Sequence, residues 1–199
     1  MMKKHIGKRI QKEVPELNAL QGELKRELYK RRFRRLLRST VQALIVVAAV
    51  AALIATLVLP VLQITGTSME PSLNDGDIVL LVKTDDLETT QLCAFYYSNK
   101  ILIKRVIATP GDYIWLEDDG TVFLNGTKLD EPYLTEAALG ECDIEFPYQV
   151  PENSYFVMGD RRDTSIDSRS SVIGCITDDQ ILGRIICRVW PLSQLTWMK

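Results

Sequence analysis

Ser68, in the run Gly66-Thr67-Ser68-Met69-Glu70-Pro71, is the hydroxyl in this 199-residue chain best placed to act as a nucleophile. Its activating base has to be sought outside the usual set. The chain has one histidine, His5, and an uncharged run from Val41 to Leu62 separates it from Ser68. A Ser-His-Asp arrangement therefore fails on topology once that run is read as crossing a membrane. Gly-Thr-Ser-Met-Glu lacks the closing glycine of a nucleophile elbow, and no Ser-x-x-Lys occurs. Metal chemistry has no better footing. Cys93, Cys142, Cys175 and Cys187 are 49, 33 and 12 positions apart with no close pair, so no zinc site is expected. Asp85-Asp86 and Glu117-Asp118-Asp119 read as solvated turns rather than metal or glycosidase carboxylates.

Lys104 is the candidate base. On a strand alternate side chains share a face, so Leu102, Lys104, Val106 and Ala108 are expected in line, with the amine between apolar neighbours. Burial disfavours the ammonium form. Lowering a lysine pKa from about 10.4 to near 7.5 takes about 4 kcal/mol of differential desolvation, within the range that buried lysines reach. A neutral amine can then accept the serine proton. The pattern by itself fits a surface lysine on an edge strand better than a catalytic one.

What must hold these groups is a membrane anchor followed by a β-rich domain. The 22 uncharged residues from Val41 to Leu62 suffice to span about 30 Å of hydrocarbon as a helix. Gln63 to Thr67 then reach at most about 20 Å, which keeps Ser68 close to the membrane surface. The run is too long for the apolar core of a cleaved signal peptide and its charged leader is the wrong flank, so an uncleaved anchor is expected. Residues 1–40 carry 13 of the 24 Lys and Arg and four of the 26 Asp and Glu, a balance of +9 that leaves −11 for the rest. This asymmetry puts the leader in the cytoplasm and residues 63–199 outside. The basic cluster reads as a topology signal in contact with anionic lipid, not as a nucleic-acid surface. Leu17, Leu20, Leu24 and Leu28 recur at helical spacing and predict a helix from about Glu16 to Arg38.

Beyond the anchor the apolar period becomes that of strands. Asp77 to Val82, Ile101 to Ile107, Tyr113 to Leu116, Thr121 to Leu124, Tyr155 to Met158 and Gly183 to Trp190 are expected strands. Asp119-Gly120 turns a hairpin that Asn125-Gly126 closes. The fold class is mainly β and antiparallel, with a loop-rich insertion over residues 127–153 in which a short helix near Glu136 to Leu139 is allowed. Cys93 and Cys187 lie in apolar runs that suit buried thiols. Cys142 and Cys175, beside Gly140 and Gly174, are the expected disulfide if the surroundings are oxidising.

The ordered runs Gly66 to Leu73, Gly76-Asp77-Ile78-Val79, Lys104 to Asp112, and Gly159-Asp160 through Ser165-Ile166-Asp167-Ser168-Arg169 closely resemble the motifs of bacterial type I signal peptidases. The resemblance covers about residues 40–192. It implies a catalytic domain of the signal peptidase type, with Ser68 as nucleophile and Lys104 as general base of a Ser-Lys dyad. It further implies that Ser165 hydrogen-bonds the lysine, that Asp167 and Arg169 form a supporting ion pair, and that the Ser68 N–H lines the oxyanion hole. Implied substrates are preproteins carrying signal peptides, cut by a membrane-bound serine endopeptidase without a cofactor. The chain departs from the family at Ser72, usually Thr, at Ala108, usually Gly, and at Arg161, usually Asn. Gly66 offers no side-chain hydroxyl to an oxyanion. Two other readings stand beside this one: a processing protease with one dedicated client, and a membrane-tethered β-rich binding module without catalysis.

Overall fold

The computed structural model describes residues 17–58 and 60–198, with side chains described over 21–53 and 60–198. His5 and Glu16 lie outside the described residues, as do the side chains of Leu17 and Leu20.

One helix, α1 (Leu17–Val58), runs through both the basic segment and the apolar run. It is rich in Leu, Ala, Arg and Lys, and between Glu23 and Val58 it contains neither Gly nor Pro. At Ser39-Thr40, where a helix could weaken, the Thr40 hydroxyl bonds back to the Leu36 carbonyl at 3.0 Å. Among the described residues this is the one helix long and apolar enough to cross a membrane. Its Leu44, Ile45, Val46 and Val47 are 60–66% exposed, so no protein core receives them. The apolar run is not helical to its end. Pro60 cannot donate a helical hydrogen bond, and Val61 and Leu62, expected within the anchor helix, instead enter a strand.

Residues 60–198 form two antiparallel sheets from twelve strands: β1 (Val61–Gln63), β2 (Ile78–Val82), β3 (Leu92–Tyr97), β4 (Lys100–Ala108), β5 (Tyr113–Leu116), β6 (Val122–Leu124), β7 (Thr127–Lys128), β8 (Tyr148–Gln149), β9 (Ser154–Met158), β10 (Ile176–Thr177), β11 (Ile181–Trp190) and β12 (Thr196–Trp197). The larger sheet has the order β1-β2-β11-β3-β4-β9-β10, with β12 also on β11, and the smaller has the order β7-β6-β5-β8. This is the mainly β, antiparallel architecture expected. The Asp119-Gly120 turn does join β5 to β6, with Gly120 at φ +85, and Asn125-Gly126 hands β6 on to β7. Strand β3, absent from the expected set, is almost wholly buried. A strand covered on both faces shows no alternation to read.

Three apolar clusters hold this unit together. Ile64, Met69, Leu73, Leu81, Ala94 and Ile185 form one, under the turn that carries Ser68. Ile107, Ala108, Ile114, Phe156 and Met158 join the two sheets in a second, and Phe95, Val106 and Val157 centre a third. The expected face of Leu102, Lys104, Val106 and Ala108 holds only in part. The β4–β9 ladder shifts between Val106 and Ala108, which brings Ile107 and Ala108 into the same cluster. The insertion contains only β7, β8 and irregular chain, and Glu136 to Leu139 form no helix. All four cysteines are free: Cys93 and Cys187 are buried, and the expected Cys142–Cys175 bond is not formed. The Cys175 thiol lies 3.7 Å from the Tyr148 hydroxyl, and that of Cys142 lies 4.0 Å from the Ile144 carbonyl.

Candidate active site

Ser68 sits in the connection between β1 and β2, and burial on both sides of it sets its position. Ile64 and Met69 are 4% and 2% exposed, while Ser68 itself is half-exposed. Ahead of it Gly66 takes φ +94 and donates its N–H to Asp75 Oδ1 at 2.8 Å; behind it Glu70 N–H reaches the Thr67 carbonyl at 3.1 Å. The Ser68 carbonyl accepts the Arg161 N–H at 3.0 Å. Its own N–H and hydroxyl have no partner among the described residues, which leaves a donor free at the mouth of the site.

Lys104 lies near the middle of β4, opposite Cys93, and is 4% exposed. Its Nζ donates to Ser165 Oγ at 2.8 Å. Burial lowers its pKa; Asp167 and Asp160 pull it back up and Arg169 pushes it further down, with a net fall. Ser68 and Lys104 line one cavity of about 420 Å³ together with Leu62, Ile64, Met69, Ile101, Leu102 and Ile103. Gln63, Thr65, Gly66 and Lys100 complete the lining, so the cavity mixes apolar side chains with polar groups, the Ser68 hydroxyl and the Lys104 amine among them.

Ser165 comes from the connection after β9, which Asp167 and Arg169 organise from inside. Both are 0% exposed. Asp167 Oδ1 accepts Arg169 Nε at 2.8 Å, and its Oδ2 accepts Arg169 Nη2 and the Gly159 N–H, each at 2.8 Å. Burial by itself would raise the Asp167 carboxyl; the hydrogen bonds and charge of Arg169, with the Gly159 N–H and Ser165, outweigh it and hold it below the usual range. Arg169 also donates to the carbonyls of Ser165 and Leu139, at 3.3 and 2.5 Å. The structure thus brings Ser68, Lys104 and Ser165 to one place, with Asp167 and Arg169 directly behind.

Several groups around the site carried no role in the sequence reading. A Cβ on Gly159 would lie 2.1 Å from Ser165 Oγ and 2.7 Å from the Ser68 carbonyl, so only glycine lets these segments meet. Arg105, next to Lys104, makes a two-point contact with Asp160 at 2.8 and 2.6 Å and also reaches Ser72 Oγ at 3.1 Å. Arg162, 1% exposed, pairs with Glu131 from the insertion. The signal for these was present as charged residues inside motifs. Two such residues so far apart in sequence cannot be matched without the fold. The side chain of Arg161 points outward and pairs with Glu70 at 2.9 Å; its N–H does the work at Ser68. No group of His, Cys, Asp and Glu able to hold a metal occurs among the described residues.

Comparison with known proteins finds a family model, similar sequences and a solved structure. The model of the signal peptidase, peptidase S26, family matches residues 37–190. Signal peptidase IB of Staphylococcus aureus (strain MRSA252) is 35% identical over 154 residues, which are 67% of this chain and 79% of that protein. Signal peptidase I of Bacillus licheniformis is 34% identical over 145 residues, covering 66% and 77%. The crystal structure of a signal peptidase I from Enterococcus faecalis V583 aligns with 50% of this chain and 96% of its own at 27% identity, with a TM-score of 0.41.

Proposed function

The chain belongs to the signal peptidase, peptidase S26, family and is a hydrolase of that class, and from this we propose that it is a membrane-anchored serine endopeptidase that removes N-terminal signal peptides from exported preproteins, with Ser68 as nucleophile and Lys104 as general base. The observation that carries the reading is the buried Lys104 amine, with its lowered pKa, on the same cavity as a serine whose hydroxyl and N–H are both free. In the first half-reaction Lys104 takes the proton of Ser68 Oγ as the oxygen attacks the scissile carbonyl. The oxyanion forms against the Ser68 N–H, and the ammonium returns its proton to the leaving amine. Water then attacks the acyl-enzyme with the same lysine as base, and the signal peptide leaves with a free carboxylate.

Ser165 and the ion pair of Asp167 and Arg169 position the amine in this scheme. The family resemblance implies small residues, typically Ala, at the first and third positions before the cut, as fits an extended peptide whose alternate side chains enter pockets on one face. Helix α1 serves as the anchor, residues 1–40 as a cytoplasmic leader and residues 63–199 as the catalytic domain outside, beside the lipid surface; length, apolar exposure and the charge asymmetry support this arrangement. The test is cleavage of a model preprotein in detergent by the wild type, Ser68→Ala and Lys104→Arg. Both variants should be inactive, since arginine cannot become a neutral base in this range. Cleavage near the wild-type rate by either one refutes the dyad, and a tethered binding module would be indifferent to Ser68→Ala.

A further inference from the structure

The insertion of residues 127–153, which carries β7 and β8 at the two edges of the smaller sheet, sends Glu131 to Arg162 in the connection after β9 and Tyr133 to Arg105 on β4. Glu131 accepts both terminal nitrogens of Arg162, Nη1 at 3.3 Å and Nη2 more closely, and it accepts the Tyr133 hydroxyl at 2.7 Å. The Tyr133 ring lies beneath the Arg105 guanidinium at 3.9 Å. Arg105 in turn grips Asp160 through two hydrogen bonds. The contacts close into a ring, from Arg162 to Glu131, to Tyr133, to Arg105, to Asp160 and back along the chain.

Asp160 and Arg162 flank Arg161, whose N–H holds the Ser68 carbonyl at 3.0 Å and whose carbonyl accepts the Ser165 N–H at 3.1 Å. One backbone residue thereby links the nucleophile's strand connection to the hydroxyl that orients Lys104. Its own side chain, 43% exposed, makes only solvent-screened pairs with Glu70 at 2.9 Å and Asp163 at 3.8 Å. Its two neighbours, 2% and 1% exposed, are held by buried ion pairs. We propose that Glu131 and Tyr133 are positioning residues of the active site: by clamping Asp160 and Arg162 they set the Arg161 backbone, and through it the relative placement of Ser68, Ser165 and Lys104. Contacts at this range matter because a misplacement of about 1 Å in reacting groups costs on the order of 100-fold in rate.

The proposal rests on the dyad reading above. Its test therefore uses the full-length chain in detergent with an extended peptide substrate, and reads kcat, KM and the acid limb of the pH–rate profile per folded enzyme, the folded fraction coming from circular dichroism. Tyr133→Leu removes the ring under Arg105 and should lower kcat at least about tenfold while KM stays within about twofold. A displaced segment also admits water to Lys104. Asp167, Asp160 and Arg169 are the charges that bear on that amine, and all three remain, so the loss of burial alone moves the acid limb to higher pH. Tyr133→Phe keeps the ring and should hold kcat within about threefold of wild type. Glu131→Gln should behave as Tyr133→Leu does; since it strands a buried guanidinium it can fail to fold, and the Tyr133 pair then decides. A folded Tyr133→Leu with wild-type kcat and an unmoved acid limb overturns the proposal, even if its melting temperature falls, because that is what a purely structural contact would give. A wild-type enzyme that cleaves nothing would instead strike the dyad reading itself.

Discussion

Replacing Asp167 with Asn tests the interior of the site with almost no change of shape. Both members of the Asp167–Arg169 pair are 0% exposed, and the carboxylate accepts three hydrogen bonds at 2.8 Å, from Arg169 Nε, Arg169 Nη2 and the Gly159 N–H. An amide cannot replace it in either orientation. With its NH2 at the Oδ1 position it faces Arg169 Nε, and at the Oδ2 position it faces both Arg169 Nη2 and the Gly159 N–H, so a donor meets a donor. Breaking a buried pair by removing one partner costs about 3–5 kcal/mol, which for a domain of this size lowers the melting temperature by about 6–20 °C. The effect on catalysis has an opposite and more telling sign. Asp167 raises the Lys104 pKa by its charge, so neutralising it lets burial depress that pKa further, and the amine is free at lower pH. Thermal unfolding by circular dichroism and a pH–rate profile on a preprotein substrate, taken below the variant's melting temperature, measure the two effects. Asp167→Asn should be less stable yet keep its activity to lower pH than wild type. Because the native carboxyl is held below its usual range, the wild type's stability from this group is present above about pH 4 and is lost as pH falls through the native pKa. The variant should lack that component of acid sensitivity. A melting temperature within about 2 °C of wild type, or an acid limb displaced upward, would refute the reasoning.

Other consequences can be checked by single substitutions. Gly159→Ala drives a methyl into Ser165 Oγ and the Ser68 carbonyl, so it should abolish measurable cleavage and destabilise by about 1–3 kcal/mol in a denaturant titration. Lys104→Met removes a buried amine whose ammonium form is disfavoured; it should be inactive but more stable at neutral pH by about 0.5–2 kcal/mol, the gain shrinking as pH rises toward the ordinary lysine pKa. Arg161→Asn deletes exposed or half-exposed pairs with Glu70 and Asp163 and leaves the main-chain bond to Ser68, so stability should change by less than about 1 kcal/mol and kcat by less than about threefold. Cys93 is a further probe: burial pushes its thiol up to about 12, and it should resist an alkylating reagent at pH 8 that modifies Cys142 in the folded protein.

The sequence by itself determined what is local. The uncharged run and its basic flank, the switch from helical to alternating apolar spacing, and the Asp119-Gly120 turn each depend on residues a few positions apart, and physics on that scale leaves a readable period. It also singled out Ser68 and Lys104, because the lone histidine is so distant and the motif order so specific. Tertiary structure decided the rest, and for one physical reason: burial and pairing are properties of residues that the chain brings together from afar. Whether Lys104 is a desolvated amine or an edge-strand lysine turns on β3 and β9 flanking β4, and β3 was illegible because it is covered on both faces. Helix α1 ends at Val58, ahead of Pro60, and Val61 and Leu62 then pair with Leu80 and Val79 of β2, a pairing that apolar composition cannot express. Cys142 and Cys175 looked like partners from their loop settings, yet each thiol lies against a different oxygen. The pairing of Arg162 with Glu131, 31 positions earlier in the chain, and of Arg105 with Asp160, 55 positions later, is set by the meeting of the segment after β9 with the insertion and with β4. Charge alone names the members of such pairs; only the fold selects which of the many opposite charges meet where water is excluded.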